Sequence, residues 1–154
     1  MRELNAELAH INTLYPIGIR IEGENEYLLR SIISFNPDGS LLTRGDIPAG
    51  SQIRLMIATK ESCLESSRQA ALQAKVALKN KIMDFALVIS SSSRYHLLGR
   101  NASQEIRIIQ EALGDDIPFA GFYSFGEYAP LGSANYYGQT YFHNQSLAIL
   151  GMGE

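Results

Sequence analysis

The stretch 84-DFALVISSSSRYHLLGRNASQEIRIIQEALGDDIPFAGFY-123 decides the fold, because its hydrophobic period passes from strand to helix and back. Asp84 to Ile89 are nearly all apolar, as expected of a strand buried on both faces. Asn101 with Gln104 three residues later is a capping pair for a helix. Ile106, Ile109 and Leu113 give that helix its buried stripe, and Gly114 stops it. Pro118 to Tyr123 then return as a strand.

Upstream, Leu64, Ala71, Ala74, Leu78 and Ile82 share one face of a helix from about 61 to 80. Before it come short strand patterns over Ile17–Ile21, Tyr27–Phe35, Ser40–Thr43 and Gln52–Ala58. They are separated by turn signals such as Asn36-Pro37-Asp38-Gly39, so this part reads as an antiparallel meander. Leu4, Leu8 and Ile11 give a lead-in helix over 3–14, ended by Pro16. Downstream, Gln139–Phe142 and Leu147–Leu150 complete the sheet. The expected fold is α+β: a mixed, largely antiparallel sheet with two main helices packed against it and a short N-terminal helix. Residues 1–14 read as a lead-in and 15–151 as the domain.

Composition narrows the function classes. With 154 residues and 45% apolar content the chain suits one folded domain. Its net charge of −3 comes without a basic block, which argues against nucleic acid as a partner. No apolar run reaches the roughly 18 residues of a membrane span. MRELNAELAHINTLY carries charges throughout and lacks a signal-peptide core, so the expected location is cytoplasmic. The single cysteine, Cys63, makes no disulfide framework and reads as a packing or surface residue.

Site candidates cluster at strand ends, where sheet proteins build their pockets. Ser91 and its neighbours follow the apolar strand, with Arg94 next. Hydroxyls and backbone N–H groups there can hold an anion and Arg94 can clamp it, or the segment is a serine-rich loop with a solvated arginine. Tyr123 ends a strand and Glu127 follows Gly126; Glu127 either receives a cation or pairs structurally with Arg94. His143 and Asn144 precede the last strand, where a lone histidine is ordinarily a hydrogen-bonded structural residue. His10, His96 and His143 show no metal-ligand spacing, GFYSFG is not a GxSxG elbow, and no nucleotide-binding glycine motif occurs. An enzyme is therefore the weaker class, and no metal or cofactor is expected.

YPIGI at 15–19, DIPAGSQIRLM at 46–56, ALVISSSSRYHLLG at 86–99, PFAGFYSFGEYAP at 118–130 and FHNQSLAIL at 142–150 together resemble the C-terminal part of FIST domains. These are sensory modules of bacterial signal-transduction proteins and of some eukaryotic F-box proteins. Ser91 stands where the family often carries a cysteine, so chemistry of that thiol is not expected. The resemblance implies small-ligand sensing, with an amino acid or similar zwitterion as ligand and haem-based gas sensing as an alternative. It also implies an N-terminal half and an output domain as partners in a larger signalling protein. A third reading makes the tyrosine-rich 123–141 segment a protein-interaction surface, and apolar surface left by a missing half would favour a homodimer. The expected ligand site joins Arg94 for an anionic group, Glu127 for a cationic one, Asn144 for orientation and Tyr123 as an aromatic wall. Ser91 and His143 stand on its margin.

Overall fold

The computed structural model describes residues 14–79, 81–132 and 139–154, so the expected helix over 3–14 lies almost wholly outside the described residues. The architecture is α+β. The first half holds β1 (Ile17–Arg20), β2 (Tyr27–Arg30), β3 (Ile32–Phe35), β4 (Leu41–Thr43) and β5 (Ile53–Leu55). The long helix α1 (Lys60–Ala77) leads to β6 (Met83–Ser91) and a short helix α2 (Ser92–Leu98). A 3-10 turn joins α2 to α3 (Ala102–Leu113). Then follow β7 (Phe119–Ser124), β8 (Glu127–Ala129), β9 (Tyr141–His143) and β10 (Leu147–Gly153).

Among the described residues, two three-stranded sheets and two antiparallel strand pairs form the strand framework. One sheet has the order β2-β1-β5, all antiparallel, rather than a sequential meander. The other has the order β10-β6-β7, with β6 antiparallel to β10 and parallel to β7. The strand expected over 27–35 is two strands in different sheets, divided at Ser31. There the N–H turns to Asn144 Oδ1 at 3.2 Å, while the C=O accepts from the Arg44 N–H at 2.9 Å in register with the β3–β4 ladder, so the two sides of the residue serve different partners.

The core lies on one face of the β10-β6-β7 sheet. Ala71 and Ala74 of α1 and Ile109, Ala112 and Leu113 of α3 close over Met83, Ala86 and Val88 of β6. Of the expected α1 stripe, Ala71 and Ala74 are buried and Leu78 packs against the core, but Cys63 and Ser67 take the buried positions nearer the N-terminus and Ile82, beyond the helix, is 74% exposed. Likewise α3 buries Glu105 and leaves Ile106 52% exposed. The buried polar positions of the two helices meet, since Ser67 Oγ donates to Glu105 Oε1 at 2.9 Å. Asn101 sits at the N-cap of α3 without a side-chain capping bond, so the expected Asn101–Gln104 box is not made. The box occurs instead at α1, between Thr59 and Ser62.

The expectation that β6 is covered on both faces is corrected. Register puts Phe85, Leu87 and Ile89 on the face away from the helices, beside Ala120 and Phe122 of β7 and Ala148, Leu150 and Met152 of β10. That face is apolar as far as Ile89 and Phe122, with Ser91 and Ser124 at its end, yet Phe122 and Leu150 are each 58% exposed. The apolar run of β6 thus marks one fully covered face and one on which Phe85, Leu87 and Ile89 are only half-buried. Gly121 is required by close approach, since a Cβ there would run into the Val88 carbonyl.

Candidate functional site

Arg94 is placed by α2, which starts where β6 ends. Its side chain turns inward and is 5% exposed. Nε and Nη2 both donate to Glu105 Oε1, at 3.0 and 2.7 Å, and Nη2 also reaches Ser67 Oγ at 2.6 Å and the Cys63 carbonyl at 2.7 Å. Nη1 donates to Ser66 Oγ at 3.0 Å, leaving a single N–H of that nitrogen uncommitted. Ser90 Oγ donates to the other Glu105 oxygen at 3.2 Å. Arg94 therefore pairs with Glu105, not with Glu127, and is not a solvated loop residue. A bidentate clamp on an external anion would need a guanidinium edge already committed to Glu105.

Glu127 opens β8 opposite His143 of β9. Its carboxylate is 3% exposed and accepts from the Ser124 hydroxyl and, at 2.7 Å, from the Ser146 hydroxyl. Burial pushes its pKa up, and the two serine bonds and the more distant Arg94 charge offset only part of that. His143 is shifted the opposite way. Burial lowers its pKa, as does the Arg30 charge, against the pull of the Ala129 carbonyl. Its Nε2 lies 3.0 Å from that carbonyl, which can only accept, so Nε2 carries the proton.

Asn144 is 1% exposed and joined to backbone on both sides, accepting from Ser31 N and donating to the His143 carbonyl at 2.9 Å. Gln145, next in the turn, has φ of 57° and is 9% exposed. A non-glycine residue held in that region deserves a reason, and such residues concentrate at functional sites. Ser91 is buried, and its N–H donates to the Ser146 carbonyl at 2.9 Å.

Arg94, His143 and Gln145 border a cleft of about 540 Å³ between α1 and the β9–β10 turn. One wall is the polar face of α1, with Ser62, Glu65, Ser66, Gln69 and Gln73. The other carries His143, Gln145 and Ser146, and Arg94 reaches the cleft between them. Tyr27, Leu29 and Pro130 add apolar surface. The volume falls within the range of small-molecule sites. Of the six residues singled out in the sequence, Arg94 and His143 line this cleft. Glu127, a bond behind its wall through Ser146, does not line it, and neither do Asn144 or Ser91.

Tyr123 does not join the group. It lies on the α3 side of the sheet, its ring 5.1 Å from that of Tyr95, beside a separate cavity of about 160 Å³ that Glu105 and Ile106 also line. Convergence of Arg94, Tyr123, Glu127 and Asn144 on one concave surface is thus not the observed arrangement. Gln145 and Ser146 were missed as site residues although they stand inside FHNQS, and their only signal was adjacency to His143 and Asn144. Gln69 and Gln73 gave none, because a polar helix face looks the same beside a cleft as beside solvent.

Cys63 is buried, and burial pushes its thiol up to about 11, with Glu105 adding to the shift and Arg94 opposing it. Among the described residues no group of three or more histidines, cysteines and carboxylates could hold a metal ion. No helix among them is long and apolar enough to cross a membrane. A family model described as FIST C domain matches residues 2–130. Comparison with curated proteins and with solved structures gives no match.

Proposed function

This chain belongs to the FIST C domain family, a family associated with sensing and signal transduction, and we propose that the cleft between α1 and the β9–β10 turn is where it receives its ligand. The ligand we propose is a small polar molecule of the amino-acid class. The observation that carries this reading is the left-handed, nine-tenths-buried Gln145 on the wall of a polar cleft, flanked by His143 and Ser146. Backbone held in that conformation at a cavity wall is consistent with a preorganised binding turn.

Within this proposal Arg94 offers its uncommitted Nη1 hydrogen to the anionic end of the ligand rather than a two-bond clamp. Ser146 couples the cleft to Glu127, so a ligand that draws the Ser146 hydroxyl away changes the environment of a buried carboxylate. Asn144 and Ser91 hold the turn in place from behind. The domain acts without catalysis: the Cys63 thiol is protonated at neutral pH, and the protonated Nε2 of His143 is bonded to a carbonyl. We place the sensory unit at 15–151, in a cytoplasmic signalling protein whose output domain it controls.

Thermal-shift and calorimetric titration of the chain with free amino acids tests the reading. A ligand at a hundred times its Kd adds about 2.7 kcal/mol to stability. Gln69→Trp fills the cleft from an exposed position on α1 and is expected to abolish the shift while leaving the unliganded Tm unchanged. If a ligand binds and Gln69→Trp binds it equally well, the site is elsewhere.

A further inference from the structure

The β10-β6-β7 sheet has two edges, and they differ. At the β10 edge the ladder to β6 shifts register between Met152 and Gly153, and most of the strand is half-buried. Bulges of this kind blunt an edge against further pairing. At the β7 edge the ladder to β6 is regular from Phe119 to Ser124, and Ala120, Gly121, Phe122 and Tyr123 are all exposed. From Ile117 to Gly126 the sequence IPFAGFYSFG has no charged residue, and Pro118 stands before the strand rather than in it. Among the described residues nothing pairs with the outer side of β7. An apolar, regular, uncharged edge lacks the usual protections, and edges of this kind take another strand.

We propose that this edge pairs with β7 of a second copy, antiparallel across a two-fold axis through Gly121, joining two three-stranded sheets into one. Paired residues in an antiparallel ladder share a face, so a two-fold axis between identical strands must pass through a residue position. With the axis at Gly121, Phe122 lies opposite Ala120 of the copy and Phe119 opposite its Tyr123. Large therefore meets small on the half-exposed face, two rings meet on the helix face, and two glycines meet at the centre. No charge in the strand opposes its own copy.

Phe122, Tyr123 and Ile106, at 58%, 43% and 52% exposure, border this edge and would be partly covered by the copy. The half-exposed face that carries Phe122 would become continuous across the axis.

Sedimentation velocity over a range of concentrations, together with hydrogen exchange, tests this on the intact chain. A monomer–dimer equilibrium is expected, with residues 119–124 gaining amide protection as concentration rises. Phe122→Lys, at a 58% exposed position, is expected to abolish the dimer while circular dichroism stays unchanged. Ala120→Lys serves the same purpose if that variant fails to fold. The register has its own readout. Ala120→Cys with Phe122→Cys is expected to give oxidised dimers, and each single variant far fewer.

A monomer at every concentration overturns the proposal, as does a dimer that both lysine variants leave intact. Efficient cross-linking by Phe122→Cys alone overturns the Gly121 axis. A chain that is monomeric by itself and pairs β7 only with a different domain overturns the homodimer.

Discussion

At Arg94 the cation already has its carboxylate inside the protein. Glu105 is 2% exposed and Arg94 5%, and their contact at 2.7 Å is completed by Ser67, Ser90, Ser66 and the Cys63 carbonyl. Taking two charges out of water is offset only when geometry and hydrogen bonding are both good, so losing one partner leaves an uncompensated charge. Glu105→Gln is expected to lower unfolding stability by about 3–5 kcal/mol, measured by urea denaturation without any ligand. Arg94→Met combined with Glu105→Leu is expected to recover most of that loss. If Glu105→Gln is neutral, the pair does not hold the helices together. Cys63 joins the same cluster through its carbonyl, which accepts from Arg94 and Ser67, and its thiol is buried.

Among the elements, legibility followed locality. α1, β6, α3 and β7 were readable because each carries its period within its own residues, and Gly114 ends α3 as its type suggests. The break at Ser31 was not readable, because Asn144 imposes it from 113 residues away. Helix α2 was hidden by four serines that look like loop, and β8 by the expectation that Glu127 merely follows a strand exit. The site was half legible for the same reason. FHNQS marks one wall, while α1 supplies the other wall from residues whose pattern only says polar.

The Asn144 tie also makes a prediction at this scale. Asn144→Ala leaves the buried Ser31 N–H without its acceptor, and stability is expected to fall by about 1–3 kcal/mol in denaturant unfolding. An unchanged midpoint would mean that the β2–β3 break holds without Asn144.

For the whole molecule, pH sets two buried groups against each other across one strand pair. Glu127 and His143 are register partners in β8 and β9, and both are held away from their charged forms. The Glu127 pKa is raised in the fold above its ordinary 4.5, so the folded chain binds that proton more tightly than the unfolded chain. Its contribution is most favourable below 4.5 and is lost as pH rises through the folded value. The His143 pKa is lowered below its ordinary 6.5, so there the unfolded chain binds the proton more tightly. Its contribution is complete above 6.5 and is lost as pH falls through the folded value.

Between 4.5 and 6.5 the two slopes oppose, and substitution separates them. Relative to the unmodified chain, Glu127→Gln is expected to make stability rise more steeply with pH in that window. His143→Gln is expected to make it rise less steeply or fall. Urea unfolding at intervals from pH 4 to pH 8 reads both slopes by linear extrapolation. Parallel curves for all three proteins would show that neither group titrates differently in the folded and unfolded chains. Ser146 would then have no strained carboxylate behind the cleft to report on.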